Sequence, residues 1–412
     1  MRLKVSAPET LQGQVILPSS KSISNRALTI NALAGSDMDV ENVSDCDDTS
    51  VMMKWLSQHP DTIDIGAAGT AMRFSTALLA VSEGVHTITG TERMKNRPIG
   101  VLVNALRQLG AEVEYVEKEG YPPLRVTGKN NLEGGEISLP GDVSSQYISA
   151  LLMIAPKLKK GLRLTLTGNI VSRPYIDMTL SVMRDYGACA EWEGESIVVK
   201  PVPYTASPYQ VESDWSAASY WYEMVALTRD KNAQVVLPRL FTDSVQGDSH
   251  GAKVFEQLGV HTEYRGDEIV LTKQGKCVDF LEYDFVEMPD LAQTFVVTCC
   301  MLGVPFHFKG LQSLKIKETD RILALKTELA KLGFCIEDRN DSELLWNLQR
   351  SSSERAKEGI DTYEDHRMAM AFAPAALTLG SLIINDPKVV SKSYPRYWED
   401  LKSIGFEVSP IE

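Results

Sequence analysis

Apolar and polar positions follow one another along this chain in a recurring order. A polar or charged cluster leads into a helix-length run that is apolar on every face, then a short alternating strand, then a helix with a single apolar stripe that stops at a glycine. The stops mark the copies best. They read ALRQLGAEVEY around Gly110, VMRDYGACAEW around Gly187, VFEQLGVHTEY around Gly259, ELAKLGFCIED around Gly333 and DLKSIGFEVS around Gly405. A spacing of about 75 residues, with each helix stop followed by alternating strand residues, is the mark of a repeated supersecondary unit. A divergent copy opens the chain, with SNRALTINALAG and TSVMMKWLSQ in the two helical places, so the pattern occurs six times.

Within each copy the two helices differ in kind. FSTALLAV after Arg73, ISALLMIA after Tyr147, TFVVTCCMLG after Gln293 and MAMAFAPAAL after Arg367 are apolar all round, as helices enclosed by other elements must be. The second helices are amphipathic. In one of them Ile99, Leu102, Val103, Leu106 and Leu109 share a stripe, with Asn104, Arg107 and Gln108 opposite. Short alternating runs such as HTITG, LRLTLTG and VPFHFKG lie between the helices, and hairpin-like pairs such as TEYRGDEIVLT turn at Gly266. Each copy therefore reads βαβαββ, which predicts an α/β fold with helices enclosed and sheets outside.

Composition removes several classes of function. A chain of 412 residues is too long for one ordinary core and long enough for two large domains. Its formal net charge of -13 argues against a general nucleic-acid or anionic-membrane surface. The cysteines at 46, 189, 277, 299, 300 and 335 show no CxxC spacing, so a reducing cytoplasm is the expected compartment. The opening MRLKVSAPETLQ lacks the apolar stretch of a signal peptide. The run from Met368 to Ile384 is broken by Pro374, Thr378, Gly380 and Ser381, and reads as a buried helix plus strand rather than a membrane span.

Candidate chemistry falls at the same places in the copies. The enclosed helix is preceded by SSKSISNR, GAAGTAMR, DVSSQY, ESDWSAAS, EMPDLAQ and YEDHRMAM; the amphipathic one by MKNRPIG, VSRPYID, SVQGD, LKIKETDR and VVSKSYP. Helix N-termini favour anions through their unpaired N–H groups and the helix dipole. Capping alone accounts for Ser22, Thr70, Ser144, Asp214 or Asp290 taken singly. It does not account for Lys21, Arg26, Arg97, Lys317, Arg321, Arg367 and Lys392 at those same ends, because cations are unfavourable in a first turn. An anion must offset them, and a ligand bearing phosphate and carboxylate groups is the simplest candidate.

The segments LPSSKSISNRALTINALA, GAAGTAMR, RMKNRPIG, YPPLRVTG, DVSSQYISALLM, SRPYIDMTL, VQGD, the PD of EMPDLAQ, KIKETDR, YEDHRMAMAF and DPKVVSKSYPRY together closely resemble the 5-enolpyruvylshikimate-3-phosphate synthase family. The resemblance runs from about residue 14 to residue 405, and the combination of SKSxSNR, KETDR and DHRMAM carries its specificity. It implies a two-domain inside-out α/β barrel of six βαβαββ units. One domain would comprise residues 1–19 with 212–412, the other 20–211.

The resemblance also implies a reaction and a set of residues. The family transfers the enolpyruvyl group of phosphoenolpyruvate to the 5-hydroxyl of shikimate 3-phosphate, releasing phosphate through a tetrahedral intermediate. Lys21, Arg97, Arg321, Arg367 and Lys392 would bind phosphoenolpyruvate, with Gly69 letting the backbone approach. Ser22, Arg26, Ser144, Ser145, Ser172 and Tyr175 would hold shikimate 3-phosphate, with Lys21 and Gln146 touching both ligands. Asp290 would be the general base on the 5-hydroxyl, which Lys317 would contact, and Lys317 or Glu318 would protonate the methylene carbon. No cofactor or metal is expected, since the chain offers no HExxH or Cys/His ligand cluster. The partners implied are the two small-molecule substrates, with no nucleic acid or membrane, and a monomer.

Four positions depart from the common family pattern: Ser19, Phe74, Ala67 and Ser313. Ser313 retains one donor toward the shikimate ring. Ala67 lacks one, which implies phosphoenolpyruvate binding weaker by about 0.5–1.5 kcal/mol, one neutral hydrogen bond. Retention of Gly69 implies inhibition by glyphosate. The enolpyruvyl transferase acting on UDP-N-acetylglucosamine shares the fold, but it carries a cysteine before its RP dipeptide where Thr91 to Asn96 has none. A catalytically silent binder of phosphorylated metabolites needs neither Asp290 nor Lys317 and Glu318. An RNA-end-processing protein sits poorly with the acidic charge.

Overall fold

The computed structural model describes residues 1–411 apart from 37, 172, 276 and 352–357. They form two compact units, Met1–Pro18 with Ser213–Glu412, and Ser19–Glu212. The repeat is most complete in three stretches. In one, strand Leu281–Asp284 leads through the enclosed helix Ala292–Leu302 to strand Phe306–Lys309, then through the amphipathic helix Arg321–Lys331 to the hairpin Glu337–Arg339 and Glu343–Trp346. The first two strands pair in parallel, as a helical crossover requires. The last strand pairs antiparallel to the second and the third sits at the edge. Sheets built on Thr62–Asp64 and on Gly135–Pro140 have the same order.

The remaining copies borrow strands from distant parts of the chain. Gln12–Gln14 supplies the parallel partner of Gln234–Pro238. Arg2–Ser6 lies antiparallel between Ser381–Asn385 and Glu407–Ile411, so the chain's first strand completes its last copy. The opening copy departs most from the predicted unit. Both of its helices form, as Lys21–Ala34 and Asp47–Gln58, but its sheet consists only of Val40–Glu41 paired in parallel with Tyr209–Gln210. No hairpin follows Asp47–Gln58; the next strand, Thr62–Asp64, already opens the second copy. The stretch GSDMDVENVSD that should build the missing sheet is rich in Asp, Asn and Ser, which favour turns over strands.

The burial of the helices follows the predicted contrast. Every residue of Gly69–Ala80 and His366–Phe372 is buried, as is all of Trp215–Leu227 but the half-buried Ser216, whereas Gly100–Gln108 buries Leu102, Val103, Ala105 and Leu106 and exposes its polar face. The helix-stop glycines all adopt left-handed backbone, from φ 80° at Gly187 to 99° at Gly405, which lets the chain leave the helix toward the sheet without a Cβ penalty. Among the described residues, no helix is long and apolar enough to cross a membrane.

Candidate active site: two cationic clusters

In the unit containing both termini, the starts of three helices bring charged side chains together. Asp290 lies in the one-turn segment Pro289–Leu291 that enters Ala292–Leu302. It does not cap that helix, so its carboxylate is turned to cations. Asp290 Oδ1 is 3.1 Å from Arg321 Nη1 and 3.5 Å from Lys317 Nζ, and Oδ2 is 3.0 Å from Arg367 Nη2. Glu318 bridges the next pair, 2.8 Å from Arg321 Nη2 and 2.9 Å from Lys392 Nζ. Asp365, fully buried, accepts from Arg321 Nε at 2.7 Å while its Oδ1 caps the helix through the Arg367 N–H at 2.9 Å. Four cationic side chains thus interleave with three carboxylates.

This interleaving answers the problem that cations at helix starts pose. The charges offsetting Arg321 and Arg367 are the protein's own carboxylates, brought from three segments. Burial by itself would raise the Asp290 carboxyl, but Arg367, Lys317 and Arg321 outweigh it and hold Asp290 well below the usual carboxylate range. Burial likewise opposes the charge on Arg321, and Asp365, Glu318 and Asp290 overcome it, raising its affinity for the proton. A further link leaves Arg367. Its Nη1 donates to Tyr220 Oη at 3.4 Å and its Nη2 to Ser216 Oγ at 3.3 Å, and Ser216 in turn donates to Asp248 Oδ2. Burial and nearby Asp290 push Asp248 up to about 7, with Arg367 and the Ser216 bond acting the other way.

In the unit Ser19–Glu212, Lys21 and Ser22 begin the helix Lys21–Ala34, which is capped by Ser20, whose Oγ accepts from the Ile23 N–H. Arg26 is almost fully buried, and its guanidinium ties three helices together: Nε to Thr179 Oγ1 at 2.7 Å, Nη2 to Ser149 Oγ at 3.2 Å and to the Tyr175 carbonyl at 3.1 Å, Nη1 to the Ser22 carbonyl at 2.8 Å. Burial with no carboxylate at hand lowers Arg26 to about 10. Ser144 caps Ser145–Ile154, and Gln146 Nε2 donates to Thr70 Oγ1 at 3.1 Å. The helix Gly69–Ala80 starts at Ala68 with no side-chain cap.

Gly69 is wedged between two guanidinium groups. A Cβ there would lie 2.5 Å from Arg97 Nη1 and 2.7 Å from Arg73 Nη1. Arg73 also donates to the Gly69 carbonyl at 2.8 Å and lies over the Tyr147 ring, whose hydroxyl reaches the Pro98 carbonyl at 2.5 Å. A methyl group at residue 69 therefore has to push Arg97, the more exposed neighbour, out of place. If an anionic substrate binds Arg97, Gly69→Ala should raise its KM by about tenfold, the loss of one charge-assisted hydrogen bond. The denaturation midpoint should hardly move. Steady-state kinetics with an unchanged KM would show that Arg97 tolerates the methyl group.

Comparison with known proteins decides the family. The model of EPSP synthase (3-phosphoshikimate 1-carboxyvinyltransferase) matches residues 5–60 and 56–401. A 3-phosphoshikimate 1-carboxyvinyltransferase of Bacteroides fragilis (strain YCH46) is 60% identical over 409 residues, 99% of either chain. The chain belongs to the EPSP synthase family. More distant relatives include the enzyme of the same name from Vibrio campbellii, 36% identical over 96% of this chain and 97% of its own. An EPSP synthase structure from Acinetobacter baumannii, 20% identical, covers both chains completely with a TM-score of 0.78 and establishes the shared fold.

For this member of the EPSP synthase family, the structure sorts the predicted residues. It brings Asp290, Lys317, Glu318, Arg321, Arg367 and Lys392 into one cluster. Lys21, Ser22, Gly69, Arg97, Ser144, Ser145, Gln146 and Tyr175 stand at or just before helix starts of the other unit. Ser172 lies outside the described residues. Ser313 sits in the turn Gln312–Ile316, its Oγ buried without a hydrogen-bond partner. Of the residues read as caps, Ser144 and Asp214 do cap, whereas Ser22, Thr70 and Asp290 do not; the caps nearest them are Ser20, Ala68 and Leu291. In each case the helix starts one or two residues away from the position read as its cap.

Sequence reasoning passed over Asp365, Ser216, Asp248 and Arg73. Asp365 carried a signal, being a good cap residue directly before His366–Arg367. For Ser216 and Asp248 there was only their position beside helix starts. The closeness of Arg73 to Gly69 is visible as an i, i+4 spacing.

Proposed function

We propose that this chain transfers the enolpyruvyl group of phosphoenolpyruvate to the 5-hydroxyl of shikimate 3-phosphate, releasing phosphate, and that the two cationic clusters are its substrate-binding surfaces. The observation that carries the reading is the Asp290 carboxylate held ionised by Lys317, Arg321 and Arg367. A base so strongly stabilised is a weak one. Phosphoenolpyruvate changes that, because its phosphate and carboxylate compete for the same guanidinium groups. As Arg321, Arg367 and Lys392 turn to the substrate, Asp290 loses its compensation and its proton affinity rises toward the range useful for deprotonating a hydroxyl. Substrate binding and activation of the base are then one event.

The other roles follow from chemistry and position. The 5-hydroxyl oxygen attacks C2 of phosphoenolpyruvate as Asp290 takes its proton, and Lys317 or Glu318 delivers a proton to the methylene carbon. Loss of a proton from that carbon then expels phosphate from the tetrahedral intermediate. Lys21, Gly69, Arg97 and Gln146 support phosphoenolpyruvate; Ser22, Ser144, Ser145, Gln146, Tyr175 and Ser313 support shikimate 3-phosphate. Arg26 orients Ser22 and Tyr175 through their carbonyls.

Two measurements test the reading. Phosphate release from phosphoenolpyruvate should depend strictly on shikimate 3-phosphate; release stimulated by UDP-N-acetylglucosamine instead would sink it. Glyphosate, a small phosphonate-carboxylate dianion suited to the same cations, should inhibit in competition with phosphoenolpyruvate. Full activity at high glyphosate concentration would contradict the assignment of Gly69 and Arg97.

A further inference from the structure

Immediately before Asp365 and Arg367 the chain takes two consecutive left-handed residues, neither of them glycine: Tyr363 at φ 53° and Glu364 at φ 56°. A bulky aromatic in that region is a backbone outlier, and such strain persists only where the surroundings over-determine it. Downstream, the Asp365 N–H donates to the Thr362 carbonyl at 2.7 Å and the Asp365 carboxylate receives Arg321. Upstream, the Ile360 N–H donates to the Ile383 carbonyl at 2.8 Å, tying the segment to the sheet.

A further anchor is Glu328, fully buried on helix Arg321–Lys331. Its Oε1 accepts from the Tyr363 hydroxyl at 2.6 Å and its Oε2 from the Asp361 N–H at 3.0 Å. Lys331 Nζ lies 2.7 Å from both Glu328 Oε2 and Asp361 Oδ2, and Asn385 Nδ2 donates to Asp361 Oδ1 at 2.7 Å. Glu328 stands two helical turns beyond Arg321, on the same face. One rigid helix therefore grips the strained turn twice, by Arg321 through Asp365 and by Glu328 through Tyr363 and Asp361.

We propose that Glu328 is a positioning residue for phosphoenolpyruvate, holding the left-handed Tyr363–Glu364 turn so that Asp365 and Arg367 meet Arg321 in the arrangement the substrate needs. The inference rests on the reaction assigned above. Without the Glu328 grip the turn relaxes toward right-handed backbone, and the two guanidinium groups lose their fixed spacing. Glu328 itself pairs with Lys331 rather than with Arg321 or Arg367.

The test compares wild type, Glu328→Gln and Tyr363→Phe by steady-state kinetics with both substrates and by chemical denaturation. Glu328→Gln keeps the volume but cannot accept from both Tyr363 and Asp361 while pairing Lys331. Tyr363→Phe removes only a hydroxyl from a partly exposed side chain, and it decides the matter should Glu328→Gln not fold. The expected result is a KM for phosphoenolpyruvate raised about five- to tenfold in each, the upper value being 1.4 kcal/mol. The KM for shikimate 3-phosphate and kcat should stay within about twofold. Phosphoenolpyruvate KM values equal to wild type would overturn the proposal, and so would a uniform decline of all parameters in step with the denaturation midpoint. Wild type lacking turnover dependent on shikimate 3-phosphate would instead overturn the reaction on which it rests.

Discussion

Asp290→Asn is expected to lower kcat by about 10²- to 10⁴-fold, the usual contribution of a positioned general base and equivalent to about 3–5 kcal/mol. Asparagine has the size of aspartate and can still accept a hydrogen bond from Arg321 or Arg367, so the cluster keeps its shape. It cannot take the proton. The KM for phosphoenolpyruvate should not rise, because removing a negative charge 3.0 Å from Arg367 and 3.1 Å from Arg321 leaves those cations freer for the substrate. A variant with full kcat would remove Asp290 from the chemistry. A raised KM with unchanged kcat would make it a binding residue only.

The same substitution has a consequence for stability against pH. The folded-state pKa of Asp290 is depressed, so the wild-type carboxylate contributes stability that is fully present above the unfolded value of about 4. That contribution is lost as the pH falls through the lower folded value. Asp290→Asn should therefore show a flatter acid limb in denaturation midpoints measured below pH 4.

Arg321→Gln is expected to destabilise its unit by about 3–5 kcal/mol at neutral pH, as breaking a buried ion network does when one partner is removed. Arg321 is 1% exposed and stands between Asp365 at 2.7 Å, Glu318 at 2.8 Å and Asp290 at 3.1 Å. Glutamine offers one donor group for three carboxylates. Asp365 suffers most, being fully buried and capping the Arg367 helix as well. With the cation gone, Asp290 loses one of the three charges that depress it, so its folded-state pKa moves up toward the unfolded value. Wild type loses the Asp290 contribution as the pH falls below about 4 and the variant has less of it to lose, so relative to wild type the variant regains stability between about pH 7.5 and pH 3. Urea denaturation at those two values checks it. A variant as stable as wild type at pH 7.5, or one that loses further ground on acidification, would contradict the network described.

How much of this was legible depends on the range over which each feature is determined. Hydrophobic periodicity and helix stops are local, so the contrast between the enclosed helix Gly69–Ala80 and the amphipathic helix Gly100–Gln108 could be read directly, as could the turn at each left-handed glycine. The concentration of Lys and Arg at helix starts was local too, and it pointed to side chains that the structure gathers around Asp290. Its physical explanation was incomplete. Besides the neighbouring Glu318, the offsetting charges come from Asp365, 44 residues from Arg321, and from Asp290, 77 residues from Arg367, separations at which no pattern in the sequence links the partners.

The sequence by itself thus determined the α/β repeat, the order of its helices and strands, and the residue types gathered at helix ends, because these follow from side-chain periodicity and backbone preference within a few residues. Only the tertiary structure decided which strands complete which sheets, as where Arg2–Ser6 enters between Ser381–Asn385 and Glu407–Ile411. It also decided that Asp290 serves as a half-buried carboxylate ringed by cations rather than a helix cap. The grip of Glu328 on Tyr363 belongs with these. Each depends on desolvation and on contacts between residues far apart in the chain, and both arise only when the units close around their cores.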